Sequence, residues 1–384
     1  MPPTIEEVAD ARATPSPHPA GWGLNEISCF ARECTTSPRR KVGVVVYAES
    51  MKAITRSTVL LAAILAVSLG STARAELPGK PVPRTQVLPL PRHEASMQIN
   101  GKEVTRYYFD RDQERPFLYP IVGPSGRSLT RMGHPHDPVS HSHHNSVWIS
   151  HHDVEGVDFW SDRRHGVIEH QRILKYDDGD EEASIFTLNQ WKVTGLGKDK
   201  NAKPQAARTL LIERRKMTLR PLANGESLIL IDLQFNTPDK EPVTFNQNPF
   251  GLIGVRMAKT IGIHDGGGTI RNSEGNVDEQ GDNGCFRKPA RWCDYSGRIT
   301  NEAVEGITLL DHPSNVNHPT PFHVRGDGWM GACLSHEKAI TVTPEQPLRL
   351  RYGLYVHRGA PTLEQLNERW KAFAKEEVKE LPAK

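Results

Sequence analysis

The chain has 384 residues, of which 37% are hydrophobic and 24% are charged, a composition typical of a soluble globular protein with one large or two smaller domains. Its formal net charge of +2 argues against a nucleic-acid groove or an anionic membrane surface as the main partner. The outlying residue type is histidine, with 17 copies, nine of which fall between His134 and His170.

The stretch "MKAITRSTVLLAAILAVSLGSTARA" predicts a secretory signal. Lys52 and Arg56 form a positively charged start, residues 57–70 are uncharged and mostly apolar, and residues 73–75 (Ala-Arg-Ala) form a cleavage site. The alternative is an uncleaved membrane anchor, but the apolar run is shorter than the about 20 residues that span a bilayer. We therefore expect residues 51–75 to be removed. The protein would be periplasmic or extracellular, with no membrane contact after cleavage.

Signal peptides begin a chain, yet fifty residues precede this one. We expect translation to start at Met51 and residues 1–50 to be a spurious or disordered extension. The Pro-rich segment 76–92 is predicted to be a linker. Residues 93–384 are predicted to form a single domain.

Export would place the chain in an oxidising compartment, where Cys285 and Cys293 could close the short loop "CFRKPARWC" as a disulfide. The alternative is that these two cysteines and Cys333 are unpaired thiols that pack as small hydrophobic side chains.

Short β-type runs separated by turn residues dominate the domain and predict an all-β fold, a large antiparallel β-sandwich. No series of strand–helix–strand units is present, which argues against a parallel α/β sheet. The predicted strands are, in chain order, "KEVTRYYFD", "FLYPIVG", "GVIEHQRILKY", "ASIFTLNQWKV", "ARTLLIERRKMTL", "ESLILIDLQFN", "PVTFN", "FGLIGVRMA", "VEGITLLDH", "KAITVT" and "LRLRYGLYVHRG".

A C-terminal helix is predicted over residues 362–379. Thr362 and Gln365 have the spacing of a capping box at its start. An apolar stripe at helical spacing predicts that the helix packs on the sheet; its residues are Leu363, Leu366, Trp370 and Phe373.

The segment "HSHHNSVWISHHDVEGVDFW", residues 141–160, concentrates histidines around one short strand. Residues 145–150 are predicted to be extended, with Trp148 on one face and Val147 and Ile149 on the other. Three histidines would then lie on the approach to the strand, and His151 and His152 at its exit.

Three interpretations of this segment remain open. His141 and His143, two residues apart, could bind a divalent or transition metal together with a carboxylate. Alternatively, one or two imidazoles and a carboxylate could carry out acid/base chemistry on an organic substrate. In the third interpretation the imidazoles only donate hydrogen bonds to loop carbonyls.

Two later stretches carry further polar candidates. Glu274, in the turn-rich "RNSEGNVDEQGDNG", is a candidate general base, or else a turn residue. The stretch "LLDHPSNVNHPTPFHVRGDG" is predicted to meet the first histidine loop at one rim of the sandwich. Arg256 and Tyr352 could contribute donors from neighbouring strands.

These motifs together resemble the methane oxygenase PmoA-like proteins, a secreted bacterial domain of unknown function. The resemblance covers roughly Arg92 to Gly359 and rests on "RPFLYPIVGPSG", the 141–160 segment, "RNSEG", "ARWCDYSG", "GITLLDHPSNVNHPTPFHVR" and "LRYGLYVHRG". It departs from the family at His152, where His-Gly-Asp is more usual. The resemblance implies a β-sandwich of the galactose-mutarotase type, and with it a carbohydrate ligand. It assigns no catalytic residues.

The main hypothesis is an exported carbohydrate-active protein that acts on a sugar by acid/base chemistry, as an epimerase, lyase or hydrolase. The alternatives are a metal-dependent oxidase or oxygenase and a non-catalytic glycan-binding module. The predicted catalytic residues are His143, His144, His151 and Glu274. The predicted substrate contacts are Trp148, Asp153, Trp160, Arg256, Asp311, His312, Asn315, His323, Arg325 and Tyr352.

Overall fold

A computed structural model describes residue 79 and residues 81–133, 141–195 and 206–383. The predicted extension and signal peptide, residues 1–75, lie outside the described residues. The same is true of His134 and His136.

Nine antiparallel strands, numbered in chain order, form the larger sheet within the described ranges. They are β1 (Thr85–Leu90), β2 (Glu94–Ile99), β3 (Lys102–Tyr108), β4 (Phe117–Ile121), β5 (Val147–His151), β11 (Gly251–Arg256), β13 (Lys288–Pro289), β16 (Pro321–Arg325) and β17 (Trp329–Cys333). Their spatial order is β1-β2-β3-β4-β5-β11-β17-β16-β13.

Eight further antiparallel strands of the described chain form the second sheet. They are β6 (Gly166–Asp177), β7 (Ala183–Val193), β8 (Arg208–Pro221), β9 (Ser227–Asn236), β12 (Thr269–Asn272), β14 (Trp292–Arg298), β15 (Val304–Asp311) and β19 (Leu348–Arg358). Their spatial order is β12-β14-β15-β19-β9-β8-β7-β6. A small ribbon pairs β10 (Val243–Phe245) with β18 (Ile340–Val342).

The two large sheets share one hydrophobic core. Tyr107 of the nine-stranded sheet and Trp191, Met217 and Leu350 of the eight-stranded sheet belong to a single buried cluster. The Tyr107 hydroxyl also lies 3.4 Å from Asn189 Oδ1 on the opposite sheet. The predicted antiparallel β-sandwich is therefore confirmed, because each sheet buries one face against the other.

The outer face of the eight-stranded sheet is covered by the C-terminal helix. Helix α2 (Leu363–Ala374) has the predicted capping box between Thr362 and Gln365. Leu366 and Phe373 are buried against the sheet. The first residue of the predicted apolar stripe, Leu363, is exposed, and the helix ends five residues before the predicted boundary. A 3-10 turn (Ala223–Gly225) and a short helix α1 (Ile263–Gly266) lie in loops.

The outer face of the nine-stranded sheet carries the functional site described below. Along β5, Val147 and Ile149 belong to the sandwich core, whereas Trp148 belongs to a separate aromatic cluster outside it. This alternation is the one that the sequence predicted for the strand. The pairing then places Trp148 beside Gly254 of β11, Gly254 beside Gly331 of β17, and Gly331 beside His323 of β16.

The structure differs from two predictions about the chain. The predicted linker 76–92 contains β1, an edge strand that pairs with β2 along its whole length. The predicted disulfide is not formed: Cys285 and Cys293 are free thiols buried in the core as small hydrophobic side chains. Burial raises the pKa of Cys285 to about 12, so that this thiol stays protonated.

No helix among the described residues combines the length and the apolar character needed to cross a bilayer.

The glycine at position 254 leaves the space in which the Trp148 indole lies. A Cβ atom added at Gly254 would overlap three atoms of that indole. We expect Gly254→Ala to lower the free energy of unfolding by about 1–3 kcal/mol, the usual range for overpacking in a filled site. Urea unfolding measures the change, and Gly79→Ala is the control because an added Cβ there meets nothing. Equal stability of the two variants would contradict this packing.

Candidate functional site

An open cavity of about 780 Å³ lies over the outer aromatic cluster of the nine-stranded sheet. Its aromatic lining residues are Trp160, Phe250 and Trp329. Its imidazoles are His141, His143, His144, His152, His264 and His323. Carboxylates and guanidinium groups complete it: Asp158, Asp162, Glu279, Asp327, Arg163 and Arg325. Flat apolar surface beside convergent polar groups is the usual composition of a small-molecule site.

Trp329 is the centre of the cavity floor. Its ring centroid lies 4.3 Å from that of His323 and 5.4 Å from that of His144. Trp160 and Phe250 flank it at 5.8 and 6.1 Å, the latter with its ring stacked. The floor is therefore a continuous layer of five side-chain rings from four different parts of the chain: His144, Trp160, Phe250, His323 and Trp329.

The strand register explains why these rings can spread over the sheet. Gly331 lies directly between Gly254 and His323 in the pairing, and its missing side chain leaves room on the outer face. An added Cβ at Gly331 would lie 3.5 Å from the indole nitrogen of Trp329. Gly254 and Gly331, which lack side chains on the outer face, thus leave the space that the indole rings of Trp148 and Trp329 occupy.

The buried guanidinium of Arg115 holds one wall of the cavity. It donates to Asn145 Oδ1 at 2.6 Å, to the Trp160 carbonyl at 2.8 Å and to Asp162 Oδ1 at 3.1 Å. The histidine approach 141–145 and the loop that carries Trp160 are therefore tied to one side chain. A charged donor with several fixed N–H groups suits this arrangement.

A second buried arginine supports the opposite wall. Arg256 donates to Asp327 at 2.9 Å and to the Gly133 carbonyl at 3.3 Å. Glu279 also lines the cavity, and it accepts from Arg325 at 2.9 Å and from the Gly326 N–H at 2.6 Å. Asp327 and Glu279 are thus two lining carboxylates that are each paired with a guanidinium group.

Hydrogen bonding keeps the cavity carboxylates ionised. Although burial alone would raise it, the pKa of Asp158 is lowered by the Ser161 hydroxyl and the Ser161 N–H. The pKa of Glu279 is lowered in the same way, against burial, by the Gly326 N–H and Arg325. Both groups are therefore proton acceptors near neutral pH.

Burial keeps the floor imidazoles neutral. It lowers the pKa of His143 to about 4 and that of His323 to about 3, with further lowering from Arg115 and Arg287 respectively. The pKa of His144 is also lowered well below its usual range, by burial and then by His143. Each ring then has one N–H donor and one acceptor nitrogen at neutral pH.

Several buried polar atoms of the floor have no hydrogen-bond partner in the described part of the chain. They are the ring nitrogens of His323, of which one still interacts with the Pro249 backbone at longer range, Nδ1 of His144 and Nε1 of Trp329. These side chains are only 1%, 3% and 5% exposed, respectively. Buried polar groups are normally paired, because leaving one unpaired costs about 1–3 kcal/mol.

Six of the predicted site residues line this cavity. Four come from the stretch 141–160 and two from the later stretch that was predicted to meet it at one rim. The six are His141, His143, His144, Trp160, His323 and Arg325. Trp148 and Arg256 lie directly behind the lining, where the indole stacks on His144 at 5.1 Å and the guanidinium holds Asp327.

Glu274, the predicted base, lies outside the cavity. It is 54% exposed and faces Arg291 at 3.6 Å, in the turn after β12 on the eight-stranded sheet. It also accepts from the Ser273 hydroxyl at 2.8 Å. These contacts are those of a turn. The glutamate of this Gly-rich segment that lines the cavity is Glu279, five residues later.

His151 also points away from the cavity. It continues the inward face of β5 after Val147 and Ile149, and its Nε2 lies 2.7 Å from the Ser335 hydroxyl. Its ring packs on Phe245, and its neighbour Asp153 accepts from Asn246 at 2.9 Å. The structure thus places His151, a predicted catalytic residue, and Asp153, a predicted substrate contact, in core and turn contacts outside the cavity lining.

The first half of the third stretch is also structural. Asp311 accepts from Asn315 at 2.7 Å and from His318 at 2.8 Å, while His312 binds the Glu376 carbonyl at 3.0 Å. These bonds anchor the loop beneath the C-terminal segment rather than at the cavity. Tyr352 is wholly buried in β19, where burial raises its pKa well above the usual range.

The described residues contain no group of three or more metal-binding side chains in a common position. The ring centroids of His141 and His143, the predicted metal pair, lie 6.1 Å apart.

Sequence reasoning missed all four cavity carboxylates and two of the five floor rings, Phe250 and Trp329. Asp158 and Asp162 flank the predicted Trp160, and Asp327 and Trp329 follow the predicted Arg325 within four residues. Proximity to a predicted residue was therefore the available signal. Phe250 and His264 carry no local pattern that distinguishes them from ordinary strand and turn residues.

A family model matches residues 94–371, almost all of the sandwich and its helix. The chain belongs to DUF6807, a family of unknown function. No curated protein matches the chain. The function of this DUF6807 protein must therefore be argued from its cavity.

The Arg115 contacts predict a large effect of a conservative change. Arg115→Lys keeps the charge but cannot bond Asn145, Asp162 and the Trp160 carbonyl together. We expect a loss of about 2–4 kcal/mol in unfolding free energy, since hydrogen bonds to charged groups contribute about 1.5–3 kcal/mol each. Urea unfolding measures it, with the exposed Arg111→Lys as control. Unchanged stability would show that Arg115 does not hold the wall.

The buried histidines predict a stability that falls with acidification. His143, His151 and His170 have folded-state pKa values of about 4, and His323 of about 3, against an ordinary value of 6.5. Between pH 6.5 and 4 the unfolded chain binds more protons, so unfolding becomes easier as the pH falls. Urea unfolding at several pH values should show this slope, and His143→Gln should flatten it. A constant stability across that window would be inconsistent with neutral buried imidazoles.

Proposed function

We propose that this DUF6807 protein binds a carbohydrate in the cavity and acts on it by base-initiated chemistry, as an epimerase or a lyase. The observation that carries the proposal is the floor of five rings whose buried nitrogens lack partners. Sugars offer apolar ring faces that stack on aromatic side chains. Their hydroxyl groups both donate and accept hydrogen bonds, as neutral imidazoles do.

The protonation states favour a base over a general acid. Glycoside hydrolysis needs a carboxylic acid with a raised pKa to protonate the leaving group. The pKa values of the lining carboxylates Asp158 and Glu279 are instead lowered, and the floor imidazoles are neutral. Ionised carboxylates can accept a proton but cannot protonate a leaving group, so epimerase or lyase chemistry fits these protonation states better than acid-assisted hydrolysis.

The proposal places the protein outside the cytoplasm, on the strength of the signal-like residues 51–75. It also retains the resemblance to PmoA-like proteins, in the sense of a secreted β-sandwich with a carbohydrate ligand. An oxygenase reaction forms no part of it.

Binding can be tested with a panel of monosaccharides and oligosaccharides, followed by the fluorescence of the cavity tryptophans. We expect Phe250→Ala to weaken binding at least tenfold, about 1.4 kcal/mol, because it removes one ring of the floor. Phe109→Ala is the matched control, a half-buried phenylalanine with ring contacts on the other side of the sheet. If no sugar binds, or if both variants weaken binding equally, the proposed function fails.

The role of the base can be tested with a matched pair of carboxamide variants. Glu279→Gln should reduce turnover of a bound sugar by a hundredfold or more, within the usual range for general base catalysis. Glu274→Gln should leave turnover unchanged, because that side chain lies outside the cavity. Binding without turnover in the unaltered protein would instead identify a glycan-binding module.

A further inference from the structure

We propose that the ligand of the cavity is an acidic sugar, a uronate, whose carboxylate lies against the floor formed by His144, Trp329 and His323. This inference rests on the proposed carbohydrate function and narrows it to one substrate class. Three features of the cavity favour this class: the unpaired polar groups of the floor, the charges around them and the proton-accepting groups of the lining.

The unpaired floor groups require an acceptor. The indole nitrogen of Trp329 can only donate a hydrogen bond, and it has no acceptor among the described residues. The neutral rings of His144 and His323 each carry one N–H, and their unpaired nitrogens are buried beside it. The indole N–H is thus a fixed donor, and each neutral imidazole beside it provides either a donor or an acceptor nitrogen, according to its tautomer. A carboxylate, with two oxygens that only accept, matches the indole N–H and the donor tautomers of the imidazoles better than a hydroxyl group does.

The negative charges of the lining are largely neutralised by the protein itself. Asp327 is paired with Arg256 at 2.9 Å, Asp162 with Arg115 at 3.1 Å and Glu279 with Arg325 at 2.9 Å. The remaining carboxylate, Asp158, accepts from the backbone N–H groups of Trp160 and Ser161 on one wall. An incoming carboxylate at the floor would thus meet paired charges rather than bare ones.

Arginine side chains add positive charge around the floor. After burial, the pKa of His323 is lowered by Arg287 and Arg325. Arg325 is already paired with Glu279, so the positive charge left to attract an anion is that of Arg287 and of Arg163, which is exposed at the rim. These two guanidinium groups favour an anion in the cavity.

The proposed base chemistry points to the same class. Removing a proton from carbon requires a neighbouring group that accepts the developing negative charge, and donors aimed at that group lower the barrier. In a uronate, the ring carbon next to the carboxylate carries such a proton. An ordinary neutral hexose ring has no carbon of this kind.

The test compares each uronate with its neutral counterpart. Glucuronate and galacturonate would be titrated beside glucose, galactose and the methyl esters of both uronates, which keep the shape but remove the charge. We expect each acid to bind at least tenfold more tightly than its ester and its neutral sugar, and to bind more weakly as salt is added. Equal binding of acid, ester and neutral sugar would overturn the inference, as would stronger binding of a sugar phosphate or sulfate.

Two variants show whether the floor and the rim provide the preference. Trp329→Phe keeps a ring in the floor but removes the N–H, and should reduce the preference for the acid to about threefold or less. Arg163→Gln should weaken binding of the acid severalfold and leave the neutral sugar unaffected, while Arg172→Gln, an exposed arginine of β6 outside the cavity, should change neither. An undiminished preference in both cavity variants, with folding verified by circular dichroism, contradicts the inference.

The same titrations separate this inference from the proposed function. If neutral sugars bind at the cavity as tightly as uronates, the uronate inference falls and the carbohydrate function stands. If neither class binds, both fall.

Discussion

The buried guanidinium of Arg115 is the contact on which the cavity most depends. It joins the histidine approach to β5 with the loop that carries Trp160, two segments that are held by no strand pairing with each other. A buried cation needs polar partners, since its desolvation is costly, and both terminal nitrogens of Arg115 have them. Its partners Asn145 and Asp162 are therefore held in one arrangement, and the imidazoles between them are positioned as a consequence. Arg256 acts in the same way at Asp327, on the opposite wall.

Strand alternation explains both the success and the failure of the prediction for β5. The pattern correctly separated Trp148 from Val147 and Ile149. The same two-residue period extended by one step puts His151 on the core side, where it packs on Phe245. A histidine-rich composition had suggested a shared role for all these rings. Position along the strand, rather than residue type, decides which imidazole reaches the cavity.

Most long strands of the eight-stranded sheet could be predicted, because their apolar runs are long and bounded by turn residues. The missed strands include β16 and β17 beneath the cavity, which are five residues long and nearly wholly buried, so they show no polar alternation. The choice between Glu274 and Glu279 could not be made from sequence either. Both lie in one Gly-rich turn segment, and only the Gly326 N–H and Arg325, almost fifty residues later, select Glu279.

Burial favours the uncharged form of both the imidazoles and the carboxylates in the cavity, but only the imidazoles are uncharged near neutral pH. Burial lowers the pKa of His144 and His323, and Arg256 and Arg287 respectively lower it further, so both rings are neutral near pH 7. Burial of Asp158 and Glu279 would likewise favour the neutral acid, but the Ser161 hydroxyl, backbone N–H groups and Arg325 reverse it. The cavity therefore combines ionised carboxylates with uncharged imidazoles and the donor N–H of Trp329. Under the proposed function, these carboxylates would accept a proton from a ligand held on the aromatic floor.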